Sequence, residues 1–197
     1  MAAGLSLVPL ESISADPDRL AWIHAEHRTA LLLGIYLGGL CWSGAFLVYL
    51  AALHHFLRAR EDVTTALLSG VGLAGGLVNA AVIVLSLSLA ALATFRSGDP
   101  QSLAMASDAS FLANNLTGFA TAVCVGGFSP ALRRVGFPRW LVALSVAVGL
   151  HHLASAAALA PAGFWSPRGP LGSTAPLGMT LWVGCVGVLI WRRRERV

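Results

Sequence analysis

VTTALLSGVGLAGGLVNAAVIVLSLSLAALATF, residues 63–95, runs for 33 residues without a charged side chain or a proline. A helix rises ~1.5 Å per residue and the hydrocarbon core of a bilayer is about 30 Å thick, so about 20 such residues suffice to cross it. Inside lipid every backbone N–H and C=O must find a partner within the protein, and a single segment achieves that only as a helix. The stretch therefore reads as a membrane-spanning helix. Working outward, the chain has four more runs free of Asp, Glu and Arg: 29–57, 109–132, 140–167 and 169–191.

The composition agrees. Of 197 residues 56% are hydrophobic and 11% charged, with a mean hydropathy of +0.74, too apolar for a domain with a water-facing surface. The expected fold is all-α: a polytopic transmembrane bundle with five spans at about 30–57, 66–95, 108–131, 139–160 and 174–191. An N-terminal segment, residues 1–29, would carry a short interfacial helix, because Asp16-Pro17 is a good helix start and Leu20, Trp22, Ile23 and His27 follow. Asp99-Pro100 repeats the device before the third span, and Asp108 reads as a cap of that helix. Residues 192–197 form a basic tail.

All 13 basic residues are arginine. Arg58, Arg60, Arg133, Arg134, Arg139, Arg192, Arg193, Arg194 and Arg196 fall at one set of span ends, while Arg19, Arg28, Arg96 and Arg168 fall at the other. Nine against four places the first group in the cytoplasm, the N-terminus outside and the C-terminus inside. Trp22 and Trp165 would then mark the outer interface and Trp140 and Trp191 the inner one. The net charge of +4 records topology and attraction to anionic lipid. Nucleic acid is not an expected partner, since the arginines are scattered over three short pieces without aromatic interleaving.

Because lipid offers little hydrophobic drive for helices to associate, small and polar residues at heptad spacing mark the packing seams. Such stripes are Gly34, Gly38, Cys41, Ala45, Val48, Ala52 and His55 in the first span and Gly72, Gly76, Asn79, Ile83, Ser86 and Ala90 in the second. Asn115, Gly118 and Ala122 follow in the third, and Ser145, Gly149, His152 and Ala156 in the fourth; Gly178 and Cys185 are candidates in the fifth. At ~1.5 Å per residue, Asn79, Asn115 and His152 each lie about 20 Å from the arginine-rich edge. One reading is interhelical hydrogen bonding among the three, with His151 turned toward lipid. The other is a small polar site able to hold a ligand or pass a proton.

Few chemistries have support. No lysine is present, which removes Schiff-base chemistry and phosphate-loop lysines. There is no GxSxG, no HExxH and no intramembrane Asp pair. The six histidines come as His24/His27, His54/His55 and His151/His152, at three different depths, so bis-histidine haem ligation is not expected. HAEH, residues 24–27, is a weak surface-metal pattern. Cys41, Cys124 and Cys185 read as small buried apolar residues, and no metal or cofactor is expected.

AEHRTALLLGIYLGGL before span one, GDP before the third, GFPRWL opening the fourth and LWVGCVGVLIWRRR closing the chain resemble a group of actinobacterial multi-pass integral membrane proteins known only as a domain of unknown function. The likeness covers residues 20–194. It implies a plasma-membrane bundle and supplies no activity or catalytic residues. Such proteins carry an additional span before the AEHR segment, of which MAAGLSLVPL looks like a remnant. The functional expectation is a non-enzymatic accessory or partner-binding envelope component, associated with other membrane subunits or with itself. The alternative is a small transporter or lipophilic-ligand binder using Asn79, Asn115 and His152.

The arginine asymmetry makes a prediction. A reporter active only in the cytoplasm should work when fused after Val197 and be silent when inserted near Gly98, and reversed activities would invert the orientation.

Overall fold

The computed structural model describes residues 16–59, 62–95, 99–160, 163–166 and 169–194, and among them there are helices and no strand. MAAGLSLVPL and the end of the basic tail lie outside the described residues. Among the described residues, seven α-helices follow one another: α1 (Pro17–Glu26), α2 (Arg28–Gly39), α3 (Phe46–Arg58), α4 (Val63–Phe95), α5 (Pro100–Arg134), α6 (Arg139–Ala156) and α7 (Pro170–Arg194). A π-helical turn, Leu40–Ala45, joins α2 to α3, so Arg28–Arg58 is one continuous helical rod.

Four of these rods are long and apolar enough to cross a membrane: Arg28–Arg58, α4, α5 and α7. The fifth expected span is α6, only 18 residues long, which also carries Arg139, His151 and His152. It stops at Ala156 rather than running to 160.

Helix ends follow local chemistry. Asp16 accepts a hydrogen bond from the Asp18 N–H, with Pro17 at the first helical position. Asp99 does the same for α5, accepting from the Gln101 and Ser102 N–H groups. These bonds and that from the Ser102 hydroxyl hold the Asp99 carboxyl below its usual range. Asp99, not Asp108, is the cap, and the third long helix therefore starts eight residues earlier than expected. Asp62 caps α4 through the Thr65 N–H and hydroxyl, the main reason its carboxyl is also held low, with Arg134 at 3.1 Å adding to the effect.

α4 and α5 pack along most of their length, and glycine makes this possible. A Cβ on Gly75 would lie 2.6 Å from the Cys124 backbone nitrogen, and one on Gly127 would lie 2.7 Å from the Gly72 Cα. Backbones this close leave room for nothing larger than hydrogen. Further along the same pair, the Ser86 hydroxyl donates to the Ser110 carbonyl and the Ser110 hydroxyl to the Ser86 carbonyl, both at 2.8 Å.

The stripes expected in the second, third and fourth spans are buried, apart from half-buried Ala90 and Ala122. The first-span stripe is not. Gly38 is buried, but Cys41, Ala45, Val48, Ala52 and His55 are exposed, and the inward face is Phe46, Leu50, Leu53 and Leu57. The π turn explains the shift: its extra residue per turn rotates everything after it, moving the seam one position along. In α7 the inward face is Ala175, Met179, Trp182 and Val186, with Gly178 and Cys185 only half-buried.

The two ends of the bundle differ in chemistry. At the arginine-rich end, Arg193 donates to the Val135 and Gly136 carbonyls and stacks 4.2 Å from the Phe137 ring centroid, tying α7 to the α5–α6 turn. At the opposite end α1 lies over α4 and α5, with Leu20 against Ala93 and Leu103 and the His24 Nδ1 3.2 Å from the Thr94 hydroxyl.

Two adjacent glycines test the seam. Gly127→Ala should lower the thermal stability of the detergent-solubilised protein by about 1–3 kcal/mol, the range for overpacking. Gly126→Ala, where a Cβ meets nothing within 4 Å, should leave it unchanged or raise it.

Candidate functional site

One turn beyond Gly75 and Gly76, α4 presents Asn79 to the bundle interior. On α5, Gly118 lies three residues after Asn115; a Cβ there would meet the Ala156 Cβ at 3.0 Å and run into the His152 carbonyl. The absent side chain brings α6 onto α5 at the level where His152 points inward. Asn79, Asn115 and His152 are 2%, 3% and 6% exposed, and all three line one cavity. The equal depths read from the sequence correspond to a shared site in three dimensions.

The hydrogen bonding differs from a mutual ring. Asn115 donates through Nδ2 to the Ala158 carbonyl at 3.3 Å, across to the end of α6. The Asn79 Oδ1 and the His152 Nε2 are buried with no hydrogen-bond partner. His151 does not face lipid: its Nε2 lies 3.1 Å from the Leu171 carbonyl and 3.2 Å from the Thr174 hydroxyl, so it holds α6 to the start of α7.

The cavity has about 40 Å³ of free volume, room for two or three waters by size. Two helix irregularities border it. Trp42 enters from the π turn, and Gly172 and Pro176 enter from α7, where the proline has no N–H to offer the carbonyl four residues back. Among the described residues no Asp, Glu or Arg lines it. Its polar atoms are amides, hydroxyls and one imidazole.

Toward the α1 end the cavity adjoins a larger and mostly apolar one of about 160 Å³, with Ile83 and Asn114 on the wall of both. This second space extends past Ser86 and Ser110 to Thr94 and His24. Toward the arginine-rich end the site has a floor. Trp182, Phe128 and Leu50 are fully buried there, Trp182 and Phe128 with ring centroids 6.5 Å apart, and the Trp182 indole donates to the Ser145 hydroxyl at 2.8 Å.

Trp42, Asn114 and Trp182 were not among the residues expected at the site. The sequence carried a signal for the tryptophans: Trp22, Trp140, Trp165 and Trp191 suit interfaces and are half or more exposed, while Trp42 and Trp182 sit mid-span, where an indole N–H needs a partner. Of the histidine pairs, His54 meets the Ser69 hydroxyl at 3.2 Å and His24 meets Thr94. Among the described residues no group of three His, Cys, Asp or Glu side chains could hold a metal ion.

No family model, no curated protein and no solved structure matches the chain. The class that the fold defines, among the described residues, is an all-helical bundle with four helices apolar enough to span a membrane.

The geometry predicts which pairs act together. Ser69→Ala and Thr174→Val should be additive within about 0.5 kcal/mol, because Ser69 meets His54 near the arginine-rich end and Thr174 meets His151 at the opposite end of the bundle, so the two share no partner. His151→Leu and Thr174→Val should instead show a coupling of about 0.5 kcal/mol or more in a thermal double-mutant cycle.

Proposed function

We propose that this chain is a multi-pass plasma-membrane protein that binds a small lipophilic molecule at Asn79, Asn115 and His152. α6 serves as a fifth span in this reading: its 18 residues rise about 27 Å, close to the hydrocarbon thickness. The N-terminus lies outside and the arginine-rich end in the cytoplasm, following the charge asymmetry. The second cavity then leads from the outer end of the bundle toward mid-membrane, and the Trp182 floor faces the cytoplasm.

One observation carries the reading. Two buried polar atoms without partners, the Asn79 Oδ1 and the His152 Nε2, belong to residues that line the same cavity. Leaving a buried polar atom unpaired costs about 1–3 kcal/mol, so side chains kept only for packing would be better replaced by apolar ones. Interhelical glue is already supplied by Ser86 with Ser110, by Asn115 with Ala158 and by His151 with Thr174. The accessory-subunit reading lacks a comparable observation, since the exposed apolar helix faces are those that lipid covers. The likeness to actinobacterial multi-pass proteins is compatible with either role.

Ile83 borders both cavities, so an indole placed there by Ile83→Trp takes up space on the wall that they share. Organic extracts of protein purified in mild detergent should contain a small lipophilic compound, detected by mass spectrometry, that the Ile83→Trp variant has lost. Identical extracts from both proteins would count against the site.

A further inference from the structure

The chemistry of the lining narrows the guest, provided that the ligand-binding reading above holds. An imidazole that donates one N–H to a backbone carbonyl presents its other nitrogen as an acceptor, and an amide oxygen is an acceptor only. The two unpartnered atoms on residues that line the smaller cavity are the Asn79 Oδ1, an acceptor, and the His152 Nε2, which accepts in the Nδ1–H tautomer. The Gly172 carbonyl on the same wall lacks its helical donor because residue 176 is proline. Such a set calls for a donor. It offers no anion: among the side chains bordering either cavity there is no Asp or Glu, and a cation held at this depth would stand unpaired in a medium of low dielectric.

Size and polarity divide the guest into two parts. About 40 Å³ beside the acceptors admits a hydroxyl or a similarly small head, and the adjoining space of about 160 Å³ is nearly all apolar. An apolar cavity of about 150 Å³ is large enough to take a benzene ring. We propose that the site recognises an uncharged lipophilic alcohol or phenol, its hydroxyl donating between Asn79 and His152 and its ring or branched alkyl body lying in the second cavity against Ile83.

An isosteric series separates the terms: benzyl alcohol, ethylbenzene and benzylammonium share a body and differ in the head. Each is titrated into the full-length protein in detergent, with the cavity-bordering Trp42 contributing to the fluorescence signal and the Ile83→Trp variant as the partition control. Benzyl alcohol should bind saturably and about tenfold or more tightly than ethylbenzene, the scale of one buried hydrogen bond. Benzylammonium should not compete with it. Asn79→Ala should bring the alcohol toward the ethylbenzene affinity while leaving ethylbenzene itself unchanged, a result that also shows the variant to be folded. Ethylbenzene binding as tightly as the alcohol would overturn the donor assignment yet keep the ligand site. Tighter binding of benzylammonium would overturn it in favour of a cation. Absence of saturable binding by any of the three would overturn both this inference and the ligand-binding reading.

Discussion

The close approach of α4 and α5 is the constraint on which the other contacts depend. With hydrogens alone at Gly72, Gly75 and Gly127, the two backbones meet, and dispersion and hydrogen bonding can act where no hydrophobic drive exists between helices. That contact fixes the faces left over. Asn79, one turn from Gly75, must point into the bundle, and Ser86 reaches Ser110 because the two axes stay close beyond the glycines. Gly118 repeats the principle toward α6 and sets the depth of His152.

Much of this was legible in the sequence, and what was not has identifiable causes. Helix ends were readable where the signal is local, as at Asp16-Pro17 and Asp99-Pro100. Seams were readable where the helix keeps its period, as from Gly72 to Ser86 and from Ser145 to Ala156. The first span failed because period counting assumes an unbroken α-helix. Nothing in LCWSGA announces a π turn, and one extra residue transfers the inward face from Ala45 and Ala52 to Phe46 and Leu53. In α7 the search for small residues missed Trp182, whose partner Ser145 lies on another helix and 37 positions away. The depth argument brought Asn79, Asn115 and His152 together correctly but could not supply their bonds. Which atoms pair depends on rotations about single bonds that a 1.5 Å rise does not constrain.

Paired and unpaired buried polar groups both occur along the bundle: besides Asn79 Oδ1 and His152 Nε2, the hydroxyls of Ser43, Tyr49 and Ser129 are buried without a hydrogen bond. Near the α1 end each hydroxyl of the Ser86–Ser110 pair finds a carbonyl, and at the start of α7 His151 bridges two acceptors on one helix. The unpaired Asn79 Oδ1 and His152 Nε2 belong to residues that line the cavity, where the helices are also irregular: a π turn on one side, a proline in α7 on the other. Broken periodicity borders the space that Asn79, Asn115 and His152 line. Interruptions of this kind recur at functional positions in membrane helices, because a helix that departs from its ladder exposes backbone groups to whatever it encloses.

The Trp182 floor has an electrical consequence. A bilayer at 100 mV stores about 2.3 kcal/mol for each elementary charge moved across it, and any wetted path from face to face would dissipate that gradient. Polar side chains at mid-depth shorten the dry distance to half the membrane. On the arginine-rich side of the cavity Trp182, Phe128 and Leu50 expose no surface, and the one polar atom of the indole is already bonded to Ser145. With the bundle set across a bilayer, these few interlocked side chains would supply the insulation on that side of the polar centre.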